Sequence, residues 1–121
     1  MVARVESAPL LRELYDAFNA RNVEVILPEL SPDVDWPNAW EGGRLHGHDQ
    51  LRDYWTRQWA EIDPTVEPVE FTERPDGTVA VRVHAVVRSR DGGLLDDRHV
   101  VHVYAFRGEL VARMDVEEDV Q

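Results

Sequence analysis

Cysteine is absent from the 121-residue sequence, which excludes disulfides, thiolate metal sites and a cysteine nucleophile. Long apolar runs are absent too. No segment approaches the ~20 apolar residues needed to span a bilayer, and the opening MVARVESAPLLREL lacks the apolar stretch of a signal peptide. A soluble, cytoplasmic protein is expected. Positive charge is scarce: 13 Lys and Arg against 24 Asp and Glu give a formal net charge of −11, a balance that repels phosphate backbones and anionic lipid. Neither nucleic acid nor membrane is expected as a partner. The acidity is spread along the chain rather than gathered in a tail, so it reads as a solvated surface and points to no substrate. The sequence shows no Gly-rich phosphate loop, Ser nucleophile motif or dinucleotide fingerprint, and no repeat, linker or low-complexity segment.

What is present suits one core. A hydrophobic content of 43% over this length fits a single domain, residues 1–121. Ser7 can cap a helix over about 8–20, with Pro9 tolerated in its first turn and Leu10, Leu11, Leu14, Tyr15 and Phe18 recurring at helical period. A second short helix after Asn22 carries Val23, Ile26, Leu27 and Leu30, and Pro28 breaks or distorts it. Residues 34–36 form a short strand stopped by Pro37, and NAWEGGRLHG at 38–47 reads as a flexible connection. A third helix over about 48–62 has Asp49 in its first turn, where a carboxylate suits the helix dipole. Its inward stripe is Leu51, Tyr54, Trp55, Gln58, Trp59 and Ile62.

From Thr65 the pattern alternates, predicting strands at about 66–73, 79–89, 98–106 and 109–117 separated by turn-like PDG, RDGG and RG. Val79, Val81, Val83, Ala85 and Val87 share one face. In the next run Val100, His102, Tyr104 and Phe106 share one face, and neither face is plainly solvent. Parity then points Ala112, Met114 and Val116 inward and Asp115 outward. Helices followed by antiparallel strands make an α+β layer pattern, with the helices on one face of a curved sheet.

LYDAFNARN at 14–22, PDVDWPN at 32–38, GHDQLRDYW at 47–55 and HVYAFRGELVARMDVEED at 102–119, in that order, resemble the SnoaL-like branch of the NTF2-like superfamily. The resemblance implies a cone-shaped α+β barrel with three N-terminal helices on the concave face of a curved antiparallel sheet. It also implies a pocket between sheet and helices and a homodimer through the outer sheet face. The family holds ketosteroid isomerases, polyketide cyclases, epoxide hydrolases and binding proteins, so the fold does not decide function. Matching ARN at 20–22 and Trp36-Pro37 to the ketosteroid isomerase pattern puts Leu14 at its tyrosine, Trp36 at its base and His102 at its oxyanion carboxyl. All three groups that carry that chemistry are changed, and isomerase activity of that kind is rejected.

The expected pocket lining is Leu14, Phe18, Trp36, Tyr54, Trp55, Gln58, Phe106, Met114 and Val116. His102 is the leading catalytic candidate because an imidazole titrates near neutral pH, and Tyr104 on the same face offers a phenol to a carbonyl or enolate oxygen. Asp35 and Trp36 alternate. Regular pairing turns Trp36 inward, whereas a bulge would make Asp35 the general base. His46, His48 and Asp49 do not have metal-site spacing, and His84 and His99 read as structural. Two functions stay open. One is cofactor-free proton transfer (isomerisation, cyclisation or dehydration) on a small apolar cyclic or polyketide-like molecule, with His102 as acid or base and no metal. The other is a non-catalytic small-ligand-binding or dimeric interaction module.

Overall fold

The computed structural model describes residues 7–119. Helix α1 (Ser7–Asn19) buries Leu11, Leu14, Tyr15 and Ala17 and turns Arg12, Glu13 and Asp16 to solvent, the division that helical period dictates. The side chain of Ser7, the expected cap, lies outside the described residues. The helix ends in a Schellman-type turn. Asn22 N–H donates to Ala17 O at 2.8 Å and Arg21 N–H to Phe18 O at 3.0 Å, with Arg21 at φ 61° where glycine is usual. The Arg21 guanidinium offsets the strain by pairing with Asp63 and lying over the Phe18 and Trp59 rings. Helix α2 (Val23–Ile26) tightens into a 3-10 turn, Leu27–Glu29, where Pro28 supplies no N–H.

Strand β1 (Leu30–Pro37) follows, then β2 (Arg44–His46), helix α3 (Gly47–Glu61) and strands β3 (Ile62–Glu73), β4 (Val79–Ser89), β5 (Leu94–Arg107) and β6 (Leu110–Glu118). The six strands form one curved, open sheet in the order β2-β1-β6-β5-β4-β3, with the helices over its concave face. The α+β architecture expected from the sequence is present, with three differences in the sheet. β1 runs parallel to β6, so the sheet is mixed. It stays unclosed, with β2 and β3 as its edges. And the connection at 38–47 is less free than its glycines suggest. Asn38 is buried, accepts from Glu41 N–H through its side chain at 2.8 Å and bonds Gly43 O through its own N–H at 2.9 Å, so that β2 can pair with β1.

The core gathers Leu11, Leu30, Val34, Leu51, Val81, Val83 and Val111, each at most 1% exposed. Edge strand β3 is protected by Pro64 and Pro68, and Asn19 of α1 serves both backbone groups of Val66, donating to its O at 2.7 Å and accepting from its N–H at 2.9 Å. A register shift between Ala105 and Phe106 against β6 interrupts the alternation. It makes Val111 the fully buried residue and leaves Ala112, expected to point inward, only half-buried.

Gly47 opens α3 at φ +83°, and a Cβ there would come 3.3 Å from Pro32 O. The left-handed backbone disfavours any side chain. Gly47→Ala should therefore cost about 1 to 2 kcal/mol in urea unfolding, whereas Gly92→Ala, which has open space, should cost only its backbone strain.

Candidate functional site

Between the sheet and helices α1 and α3 lies a cavity of about 330 Å³. Leu14, Tyr15 and Phe18 come from α1, Trp36 from β1, Tyr54, Trp55 and Gln58 from α3, and His102, Tyr104, Met114 and Val116 from β5 and β6. Aromatic edges fix the walls: Trp36 meets Trp55 at 5.7 Å and Tyr104 at 6.2 Å between centroids, and Phe18 meets Trp55 at 6.1 Å. Trp59 stacks behind Trp55 at 6.1 Å and backs this wall. Tyr54 is buried, which raises its pKa despite backbone hydrogen bonds from Trp40 and Ala39.

One polar chain crosses the floor. Tyr104 Oη–H donates to Tyr15 Oη at 2.8 Å, and Tyr15 Oη stands 2.8 Å from His102 Nδ1. Since Tyr15 already accepts from Tyr104, its own proton goes to Nδ1, which therefore accepts. The neutral imidazole then carries its proton on Nε2, an atom with no hydrogen-bond partner among the described residues. Reversing the chain would leave the Tyr104 proton without an acceptor, so the Nε2–H tautomer is preferred. Desolvation pushes the His102 imidazole down to about 4, so it is neutral at pH 7. Burial also raises the Tyr15 and Tyr104 phenols well above their ordinary range. The site thus presents a neutral donor to the cavity.

Asp35 lies elsewhere. The β1–β6 register does shift between Leu30 and Asp35, but it leaves the pairing of Asp35, Trp36 and Pro37 with β2 regular. Alternation is restored by Val34, which is fully buried, so Trp36 faces the cavity and Asp35 the opposite side. There Asp35 accepts from Arg44 Nε at 2.7 Å and Arg113 Nη1 at 2.8 Å. Asp115 completes the cluster, accepting from Arg44 Nη1 at 2.9 Å and from Arg113 Nε at 2.8 Å, and its carboxyl is held below the usual range chiefly by Arg113. With every charge paired, this network clamps β2, β1 and β6 together. Phe106 keeps the inward side of β5 and packs against the core but does not line the cavity. Val116 is 43% exposed and lines the rim. His48 Nε2 bonds Leu30 O at 3.0 Å, exposed His46 leans toward Asp35, and His84 stacks on His99 across β4 and β5 while pairing with Asp97 at 2.7 Å.

Sequence reasoning missed Tyr15, Val100, Asp96 and Arg98. Tyr15 stands in the apolar stripe of α1 and reads as core. The other three were available by extending the period-2 count of β5 back from His102 through the polar DDR segment.

A curved sheet with helices over its concave face and a cavity between them is the NTF2-like architecture. The chain belongs to the SnoaL-like domain family, whose pattern matches residues 11–114. Among solved structures it is similar to TerC co-crystallized with polyporic acid (26% identity over 97% of this chain and 92% of that one, TM-score 0.78). It is also similar to an NTF2-like protein of unknown function from Burkholderia pseudomallei (25%, 98% and 92%, 0.79). A proposed polyketide cyclase from Xanthomonas campestris pv. campestris shares the fold at 17% identity (97% and 93%, 0.76). No curated protein matches the chain. No helix among the described residues is long and apolar enough to cross a membrane.

Proposed function

We propose that the protein holds a small, mostly apolar, ring-bearing organic molecule in this cavity, with one ligand oxygen accepting from His102 Nε2–H. The observation that carries the reading is the Tyr104–Tyr15–His102 chain, which sets a neutral donor in a space lined mainly by aromatic and aliphatic side chains. A few well-placed polar groups in an apolar cleft are the usual composition of a small-molecule site. About 330 Å³ suits a molecule of two or three rings. Co-crystallization of the related TerC with polyporic acid supports a small organic ligand.

In the enzymatic form of this reading, Nε2–H polarises a ketone oxygen and acidifies the adjacent C–H, which is the start of isomerisation, cyclisation or dehydration without a cofactor. Tyr104 and Tyr15 fix the tautomer. A non-catalytic binder is the second reading, and one observation favours it: the carboxylate among the lining residues, Asp96, is at the rim, and Asp35 faces away. The proposal includes one domain acting in the cytoplasm and a second copy docked on the outer sheet face, where half-buried Val101 and Ala105 supply apolar surface.

2-Tetralone, an enolisable two-ring ketone, tests both forms. Titration should quench Trp36 and Trp55 fluorescence, and His102→Asn, which keeps an acceptor for Tyr15 but has no Nε2, should weaken binding about tenfold. Exchange of its α-hydrogens in D2O, followed by NMR, should run faster with protein than in buffer if the site is catalytic. Binding without acceleration selects the binder, and no binding to the wild type removes both forms.

A further inference from the structure

Asp96, Arg98, Val100, His102 and Tyr104 alternate onto the cavity face of β5 and run from its rim to its floor. Asp96 and Arg98 are the charged residues among those that line the cavity, and everything between them and His102 is apolar. In the Arg98 row, Ala85 of β4 and then Val66 of β3 continue the surface. The next row inward pairs Val100 with Val83. Asp96 Oδ2 accepts from Arg98 Nε at 2.8 Å. This leaves both terminal nitrogens of the guanidinium, on a side chain 64% exposed, without a partner among the described residues. A planar fork held at its inner nitrogen and open at its outer edge is suited to a bidentate carboxylate.

We propose that Arg98 determines specificity and that the ligand is an organic anion. Its carboxylate or enolate pairs with Arg98 at the rim, its ring body lies along Val100, and its far oxygen reaches His102. This rests on the small-molecule reading above and adds the charge and length of the ligand. Four residues of strand separate His102 from Arg98, about 13 Å between Cα atoms at 3.3 Å per residue. The two side chains shorten that span to the length of a two- or three-ring body with polar groups at opposite ends. Asp96 is a positioning residue: it holds Nε and limits the site to one added negative charge. In a chain of net charge −11, the anion is drawn by this local cation rather than by the overall field.

Two probes differing by one carboxylate, 2-naphthol and 6-hydroxy-2-naphthoate, test the assignment by tryptophan fluorescence at fixed ionic strength. The wild type should bind the naphthoate about fivefold tighter. Arg98→Met, an exposed substitution whose folding circular dichroism will verify, should abolish that preference, the naphthoate falling to the affinity of 2-naphthol. Asp96→Asn, which removes the competing carboxylate, should leave the naphthoate bound at least as tightly. Equal wild-type affinity for the two probes, or an equal loss of both in Arg98→Met, overturns the role of Arg98 while the cavity reading stands. Failure of both probes to bind the wild type overturns the cavity reading and this one with it.

Discussion

Between pH 7 and pH 4.5 the wild-type protein is expected to lose about 2 to 3 kcal/mol of folding stability through His102 alone. Burial lowers the folded-state pKa of its imidazole from its ordinary 6.5 to about 4. In the unfolded chain the same ring takes a proton near 6.5. Above that pH neither state is protonated, and the neutral ring's contribution is fully present. As pH falls through the window from 6.5 to 4, the unfolded state binds the proton first, and stability drops with it. Carboxylates such as Asp33 and Glu41, whose pKa values are lowered chiefly by Ser31 and Arg57 respectively, begin to lose their contribution only as pH falls below about 5, where unfolded carboxylates start to titrate. The upper part of the window therefore belongs to histidine. Urea unfolding of wild type and His102→Asn at pH 7 and pH 4.5 isolates the effect. The variant should show most of that 2 to 3 kcal/mol difference removed, whatever its absolute stability. Parallel pH dependences in the two proteins would mean that the ring is solvated and that the donor tautomer argued for the cavity is not enforced.

The same desolvation links the fold to the proposed function. His102 is held neutral because α1 and α3 cover the floor of the sheet, and its donor faces the cavity because Tyr15, itself accepting from Tyr104, occupies the other nitrogen. Much of this was legible in the sequence. The helical period of Leu11, Leu14, Tyr15 and Phe18 and the alternation from Val79 to Val87 set α1 and β4. The pairing of His102 and Tyr104 on one face is a direct consequence of period 2. What alternation cannot carry is a change of register. Ala112 lies at the shift in the β5–β6 pair, and its assignment fails because it is the extra residue on β6, while Phe106 keeps its face and packs on the core outside the cavity lining. Asp35 illustrates the complementary case: an irregularity is present in β1, between Leu30 and Asp35, but it leaves the Asp35–Trp36 alternation untouched. The parallel pairing of β1 with β6 is a long-range choice that no local pattern encodes. The rim of the cavity was hidden for another reason: Asp96 lies before the expected start of the strand at about residue 98, whereas β5 in fact begins at Leu94 and carries Asp96 and Arg98 on the face of His102.

Tyr15→Phe should be the most damaging single-atom deletion in the site, costing about 3 kcal/mol. The hydroxyl it removes is the middle of the chain: it accepts from Tyr104 at 2.8 Å and supplies the proton 2.8 Å from His102 Nδ1. Its loss strands a donor on Tyr104, which is 2% exposed, and an acceptor on His102, and each buried orphan carries a desolvation cost of about 1 to 3 kcal/mol. Tyr104→Phe deletes only the end of the chain and leaves the Tyr15–His102 bond intact, so about 1 kcal/mol is expected. The double variant is the decisive measurement. With both hydroxyls gone, Tyr104 no longer presents an orphan donor, and only His102 Nδ1 is left unserved. The double variant should then be no less stable than Tyr15→Phe alone, giving a coupling of about 1 kcal/mol or more in a double-mutant cycle. A spectroscopic signature accompanies the energies. In the wild type the ring nitrogens of His102 should report a fixed Nε2–H tautomer, and in Tyr15→Phe, with nothing donating to Nδ1, the two tautomers should mix. Strict additivity of the two substitutions, with unchanged nitrogen shifts, would show that the three side chains are neighbours without forming a chain, and the cavity would then lack the oriented donor on which its proposed chemistry depends.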